Sequence, residues 1–107
     1  MNGAFGDMGS LLKQAQQMQR ELDRVREELK NRTVEGSAGG GAVRVLASGD
    51  RAIVKVEISA ELLARPDKAL IEDLVLAASR DAQAKAARLA AEAMGKVTGG
   101  MQLPGLF

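Results

Sequence analysis

Apolar residues fall at Leu11, Ala15, Met18, Leu22, Val25 and Leu29, alternately four and three positions apart. That spacing returns to one side of an α-helix every two turns, so it predicts a helix with a single apolar seam. Ser10 stands where an N-cap is wanted. The seam is shorter than three heptads, which suits packing on the rest of the domain or on a second copy better than a free-standing coiled coil. Leu11, Met18, Leu22 and Val25 are its expected dimerisation residues. Glu21 and Arg26 occupy the flanking positions where interhelical pairs form.

Beyond Lys30 the period changes from helical to two. Thr33 to Glu35 reads as a short strand. Val43, Val45 and Ala47 alternate with Arg44, and Val54, Val56 and Ile58 alternate with Lys55 and Glu57. The two runs predict a hairpin with one buried face, turning at Gly49-Asp50. Leu46 and Ile53 break the alternation and point to a second contact surface. A second, longer helix is expected to open at Pro66 or Asp67 and to close at Gly95 and Lys96. Leu70, Ile71, Leu74, Val75 and Ala78 form its apolar face, and from Ala77 to Ala93 it is rich in alanine. Alanine has the best intrinsic helix propensity, so this half can stay helical with little burial and can project.

The order is therefore α-β-β-β-α, an α+β fold with a three-stranded antiparallel sheet and two long helices. Residues 1–9 and 96–107 lack any period and are expected as a flexible N-terminal arm and a flexible C-terminal tail around a single domain at 10–95.

Composition sharpens this picture in two ways. Aromatic residues make up 2% of the 107-residue chain, and both of them, Phe5 and Phe107, lie at its ends. The core must rest on Leu, Ile, Val, Met and Ala, which is a small core for a small domain, and a second copy would relieve the shortage. There is no cysteine and no histidine, which excludes disulfides, thiolate metal sites and histidine-assisted nucleophiles. The adjacent acids Glu72 and Asp73 point about 100° apart on a helix and make no carboxylate pair. The run "GSAGGG", Gly36 to Gly41, lacks the Gly-Lys-Ser/Thr of a phosphate loop and leads into a strand, so it reads as a flexible strand connection. No enzymatic activity, cofactor, metal or small-molecule substrate is expected. No apolar run approaches the length of a membrane span, and the start lacks the layout of a signal peptide. The expected location is the cytoplasm.

Net charge is only +1, so bulk charge does not argue for a nucleic-acid partner and placement has to. At about 100° per residue, Lys13, Gln17, Arg20 and Arg24 fall within about 60° of one another, opposite the seam, with Gln16 beside them. Lys and Arg suit phosphate, and Gln and Arg can also read base edges. The second helix offers Arg80, Lys85 and Arg88, although Asp81–Lys85 and Arg88–Glu92 are spaced to neutralise each other. The residues alone leave three readings open: a solvated face, a DNA-binding face, or the polar side of a homodimeric coiled-coil module that holds proteins.

Four stretches bear on that choice: "LLKQAQQMQ" near the start, "EGSAGGGAV" before the hairpin, "IEDLVLAA" followed by "RDA" and Lys85, and the closing "GGMQLPGLF". In this order and spacing, over nearly the whole chain, they resemble the YbaB/EbfC family of bacterial nucleoid-associated proteins. The resemblance implies a tweezer-shaped homodimer that binds DNA and associates with the nucleoid; phosphate contacts spaced along two long helices are in turn expected to make the binding of double-stranded DNA largely indifferent to sequence. It implies DNA-facing groups on the protruding helices: Lys13, Gln16, Gln17, Arg20 and Arg24, with Arg80, Lys85 and Arg88. Family members often carry asparagine before the aspartate where this chain has Arg80, which adds a base there.

Overall fold

The structure, a computed structural model, describes residues 2–99, with side chains from Asp7 onward. Helix α1 spans Asn2–Lys30, strands β1, β2 and β3 span Thr33–Ala38, Val43–Ser48 and Ile53–Ile58, a short helix α2 spans Ala60–Ala64, and helix α3 spans Lys68–Val97. The strands form one antiparallel sheet in the order β1-β2-β3. The α-β-β-β-α order and the α+β class are those the periodicities predict, with α2 as an addition. Ser59 caps α2 by accepting from the Leu62 amide, a local start signal hidden between two stronger elements.

The sheet has one apolar face. Val34, Gly36 and Ala38 of β1 stand opposite Ala47, Val45 and Val43 of β2, while Glu35, Ser37, Arg44, Leu46, Lys55 and Glu57 take the other side. α3 lies across the apolar side of β1 and β2. It buries Ala78, Ala82 and Ala86, one residue per turn, against Val43, Val45 and Ala47, and Leu74, Val75 and Leu62 pack around them. Small side chains on the helix let it settle close to the sheet. At Gly36 the approach is so close that a Cβ would lie 2.2 Å from the Ala82 amide nitrogen and 2.4 Å from the Ala78 carbonyl oxygen. Glycine is therefore needed here for space, whereas Gly39, Gly40 and Gly41 supply the positive φ of the β1–β2 connection, as the glycine-rich run suggests.

The β2–β3 turn departs from the sequence reading. Its positive φ falls on Arg51, and Gly49 serves another purpose. A Cβ there would meet the Leu29 carbonyl oxygen at 2.5 Å, and the Gly49 amide donates to the carbonyls of Leu29 and Arg32. Gly49 thus seats the hairpin on the end of α1, where Leu29 is buried. Ser48 donates to Asp50, and its amide donates to the Ala52 carbonyl at 2.8 Å.

Three further expectations change. Residues 2–9 continue α1, so Ser10 lies inside the helix and caps nothing. The glycines there raise the cost of each helical residue, but without proline nothing interrupts the ladder once it is nucleated. At the other end Gly95 stays helical, α3 runs to Val97, and the chain leaves it through Thr98 with Gly99 at φ 65°. The glycine that ends the helix is the one in the left-handed conformation, as helix C-termini commonly require. Residues 100–107 of the expected tail lie outside the described residues. Asp67 does cap α3, accepting from the Leu70 amide at 3.1 Å.

The third change concerns the hairpin's buried face. It is buried on β2 alone, for α3 barely reaches β3. Val45 is completely buried, yet Val56, its neighbour across the strands, is 44% exposed, and Val54 is 56% exposed.

The closeness of α3 to β1 gives a direct test. Gly36→Ala sets a methyl group against helix backbone that cannot turn aside, and should cost at least about 3 kcal/mol, the upper range for overpacking. Gly40→Ala, where no atom lies within 4 Å and only the positive φ is violated, should cost about 1–2 kcal/mol. Denaturant unfolding of the two variants checks the order.

Candidate nucleic-acid interface

α1 carries the residues singled out on the first helix. Every side chain from Asp7 to Glu21 is exposed, so this part of the helix stands clear of the rest of the chain. Further along, Leu22 is half-buried, and Val25 and Leu29 are 6% and 4% exposed. The apolar seam is therefore divided. Val25 and Leu29 join the body of the chain, where α1 meets α3, while Leu11 and Met18 remain 62% and 37% exposed.

The polar stripe is divided at nearly the same place. Between Ser10 and Arg20 there is no acidic residue. Among the described residues neither Lys13 nor Arg20 forms an ion pair. Gln16 and Gln17 are exposed between them, and Lys13 and Arg20 are about 10 Å apart along the axis at 1.5 Å per residue. Arg24 belongs to the stripe by angle but not by charge. It holds Glu21 at 2.7 Å and also pairs with Glu28. The hydrogen bond to Glu21 and its charge raise the Arg24 pKa above the usual arginine value and lower that of Glu21. Arg26–Asp23 and Lys30–Glu27 pairs complete a self-neutralised last third of α1.

On α3, Arg80, Lys85 and Arg88 have different surroundings. Arg80 and Arg88 are exposed and form no ion pair among the described residues. The Arg88–Glu92 pair expected from spacing is not formed; the Asp81–Lys85 pair is, at 3.1 Å. It also reaches the sheet. The Ser37 amide donates to Asp81 Oδ2 at 3.0 Å, and Lys85 Nζ donates to the Glu35 carbonyl at 3.1 Å. Sequence spacing reveals the helical pair but not these β1 partners, which are 44 and 50 residues away. Lys85 is thus held at the edge of the sheet, while Arg80 and Arg88 stand on the part of α3 that covers it. Lys13, Gln16, Gln17 and Arg20 lie apart from all three, on the exposed stretch of α1. A single chain does not bring the two sets of bases together.

This chain is an α+β protein with exposed bases on two long helices. The model of the YbaB/EbfC DNA-binding family matches residues 4–101, and the chain belongs to that family. It is 46% identical over 102 residues to a nucleoid-associated protein of Pelotomaculum thermopropionicum, covering 95% of this chain and 97% of that one. A nucleoid-associated protein of Acetivibrio thermocellus is also 46% identical, over 98% of this chain and 94% of its own length. The crystal structure of an uncharacterized protein from Helicobacter pylori superposes with a TM-score of 0.62 over 91% of this chain and 95% of that one, at 24% identity. That likeness concerns the fold.

The Asp81 contacts carry a pH signature. The Ser37 amide hydrogen bond, then Lys85, lowers the Asp81 pKa below the usual carboxylate value. A carboxylate depressed in the folded state adds stability above its unfolded pKa, and loses it as pH falls through the folded one. Wild-type stability should therefore fall below about pH 4 more steeply than that of Asp81→Asn. The Asn variant should be the less stable at neutral pH, with the gap closing at the acid end, as denaturant melts at successive pH values would record.

Proposed function

We propose that the chain binds double-stranded DNA as a homodimer, mainly through phosphates and largely without regard to sequence, in the cytoplasm and on the nucleoid, where it influences nucleoid organisation and gene expression. Membership of a DNA-binding family supports the partner. The observation that carries the mechanism is the acid-free stretch of α1, where Lys13 and Arg20 stand unpaired on a helix exposed on every side. A phosphate meeting these groups does not have to displace a carboxylate first. Arg80 and Arg88 add a second set of unpaired bases, and the near-neutral chain keeps the affinity modest. Gln16 and Gln17 are the groups through which a sequence preference would enter, glutamine being able to pair with adenine in the major groove.

The dimer follows from what one chain leaves uncovered. Among the described residues half of the eight buried apolar ones are alanine, and the largest fully buried side chains are Val43 and Val45. Meanwhile Leu11, Met18 and Leu22 on α1, continuous with the buried Val25, and Val54 and Val56 on β3 lie partly or largely open. A helix that buries so little lacks the tertiary packing from which most helices in proteins draw their stability. A second copy covering the seam stabilises both arms, and two arms about a two-fold axis can straddle a duplex or reach successive grooves.

The exposed Met8, Leu11 and Leu12 favour one other reading, a homodimeric coiled-coil module that clasps proteins by apolar contact. The two differ in driving force. Sedimentation should give about twice the 11.3 kDa chain mass, and a stable folded monomer would refute the dimer. Affinity for random duplex DNA should fall with salt, with a log–log slope of about −0.9 per phosphate neutralised. An apolar clasp would hardly respond, and no gel shift at low salt would favour it.

Lys13→Ala with Arg20→Ala should flatten that slope by up to about four phosphates' worth per dimer, two from each chain, and Arg24→Ala by less, because Arg24 already holds two carboxylates. Melting temperatures should barely move, since exposed substitutions usually cost within about 0.5 kcal/mol each. Wild-type affinity in the double variant would reduce the stripe to a solvated face. Selection of bound duplexes from a random pool tests the indifference to sequence. A strong consensus lost in a Gln16 and Gln17 double alanine variant would overturn it.

A further inference from the structure

We infer that Asp81 and Lys85 form a clasp that closes the β1 edge of the sheet to addition of another strand. A sheet ordered β1-β2-β3 exposes two edges, and an exposed edge is a template for pairing with another chain. The two edges differ in sequence. β3 carries Lys55 and Glu57, charges that discourage pairing, whereas β1, "TVEGSA", has one charged residue in six. A strand of that composition needs some other protection.

The geometry supplies it. Along an edge, the backbone groups that point away from the sheet recur every second residue. On β1 these include the Glu35 carbonyl and the Ser37 amide, the groups an incoming strand would bond. Each is taken by an α3 side chain of the matching kind, the acceptor Asp81 on the amide and the donor Lys85 on the carbonyl. The spacings agree as well. Residues four apart on a helix are about 6 Å apart along its axis, and residues two apart on a strand are about 6.6 Å apart. The ion pair at 3.1 Å ties the two arms of the clasp together. A carboxylate as short as Asp81 reaches β1 because Gly36, between the two clasped residues, lets α3 approach to backbone contact. Lys85 is in this view a positioning residue, committed to the edge before any phosphate arrives.

The test opens the clasp without restoring it by other means. The variant Asp81→Ala with Lys85→Ala, folded by circular dichroism, is expected to form species at least about twice the mass of the wild-type assembly as concentration rises, because each exposed edge recruits another. Adding Ser37→Pro removes the amide that strand pairing requires, in a position where an edge strand tolerates proline, and should return the mass to that of wild type. Growth that persists with Ser37→Pro would trace association to general loosening and overturn the proposal. So would a double variant that keeps the wild-type mass at every concentration. Should the double variant not fold, Asp81→Ala and Lys85→Met are read singly in the same way, each freeing one edge group. Asp81→Asn, which keeps an acceptor for the Ser37 amide, is expected to stay at the wild-type mass.

Discussion

Gly36 and the alanines facing it let a strand and a helix meet backbone to backbone. Most helix–sheet contacts are held apart by the side chains between them; here Ala78, Ala82 and Ala86 present methyl groups, and Gly36 presents hydrogen alone. The small separation between them fixes much of the remaining structure. It brings Asp81 and Lys85 within hydrogen-bonding reach of β1. It lets side chains as small as Val43, Val45 and Ala47 fill the interior. It also centres α3 on β1 and β2, which leaves β3 uncovered on its apolar side. Close approach makes up in packing quality for what the chain lacks in aromatic bulk, since dispersion falls quickly with even a small gap.

The same economy shapes the charge. With a net charge of +1, nearly every base has an acid available, and six of the fifteen pair with one among the described residues, all within four positions along the chain. The last third of α1 pairs its charges within a helical turn, and Asp81–Lys85 is spent on the sheet edge. Among the described residues Lys13, Arg20, Arg80 and Arg88 are left without an ion pair, as are Arg32, Arg44, Arg51, Arg65 and Lys96. In the proposed reading the first four, by their place on the two long helices rather than by total charge, meet DNA. Exposed pairs contribute little to stability, but they decide which cations a polyanion can engage without competition.

The long, open stretch of α1 sets a second constraint. The leucines of this stretch gain little burial, with Leu11 and Leu12 each 62% exposed, so they add little to the stability of a single chain. Their exposure and that of β3 belong to one problem: the described residues leave apolar surface on α1 and β3 open. The proposed homodimer answers it, and places a structural seam and a polar stripe on opposite sides of the same helix.

The α-β-β-β-α order, the seam of α1, the buried face of β2 and the cap at Asp67 were all legible in the sequence, because each is written in local periodicity or in a side chain that bonds its own neighbours. The polar stripe was legible too, as an angle on a helix. Other features were not. Nothing local distinguishes Gly36 and Gly49, needed for space, from Gly39 to Gly41, needed for φ. Spacing proposed pairs for both Lys85 and Arg88, and the fold formed only the first and turned it onto β1. Periodicity made β3 as apolar on one face as β2, but which strand is buried depends on where α3 comes to rest. Sequence by itself determined which faces exist, since a face is a property of one element. Tertiary structure decided which of them are used, since burial, edge protection and unpaired charge each depend on a residue far away in the chain.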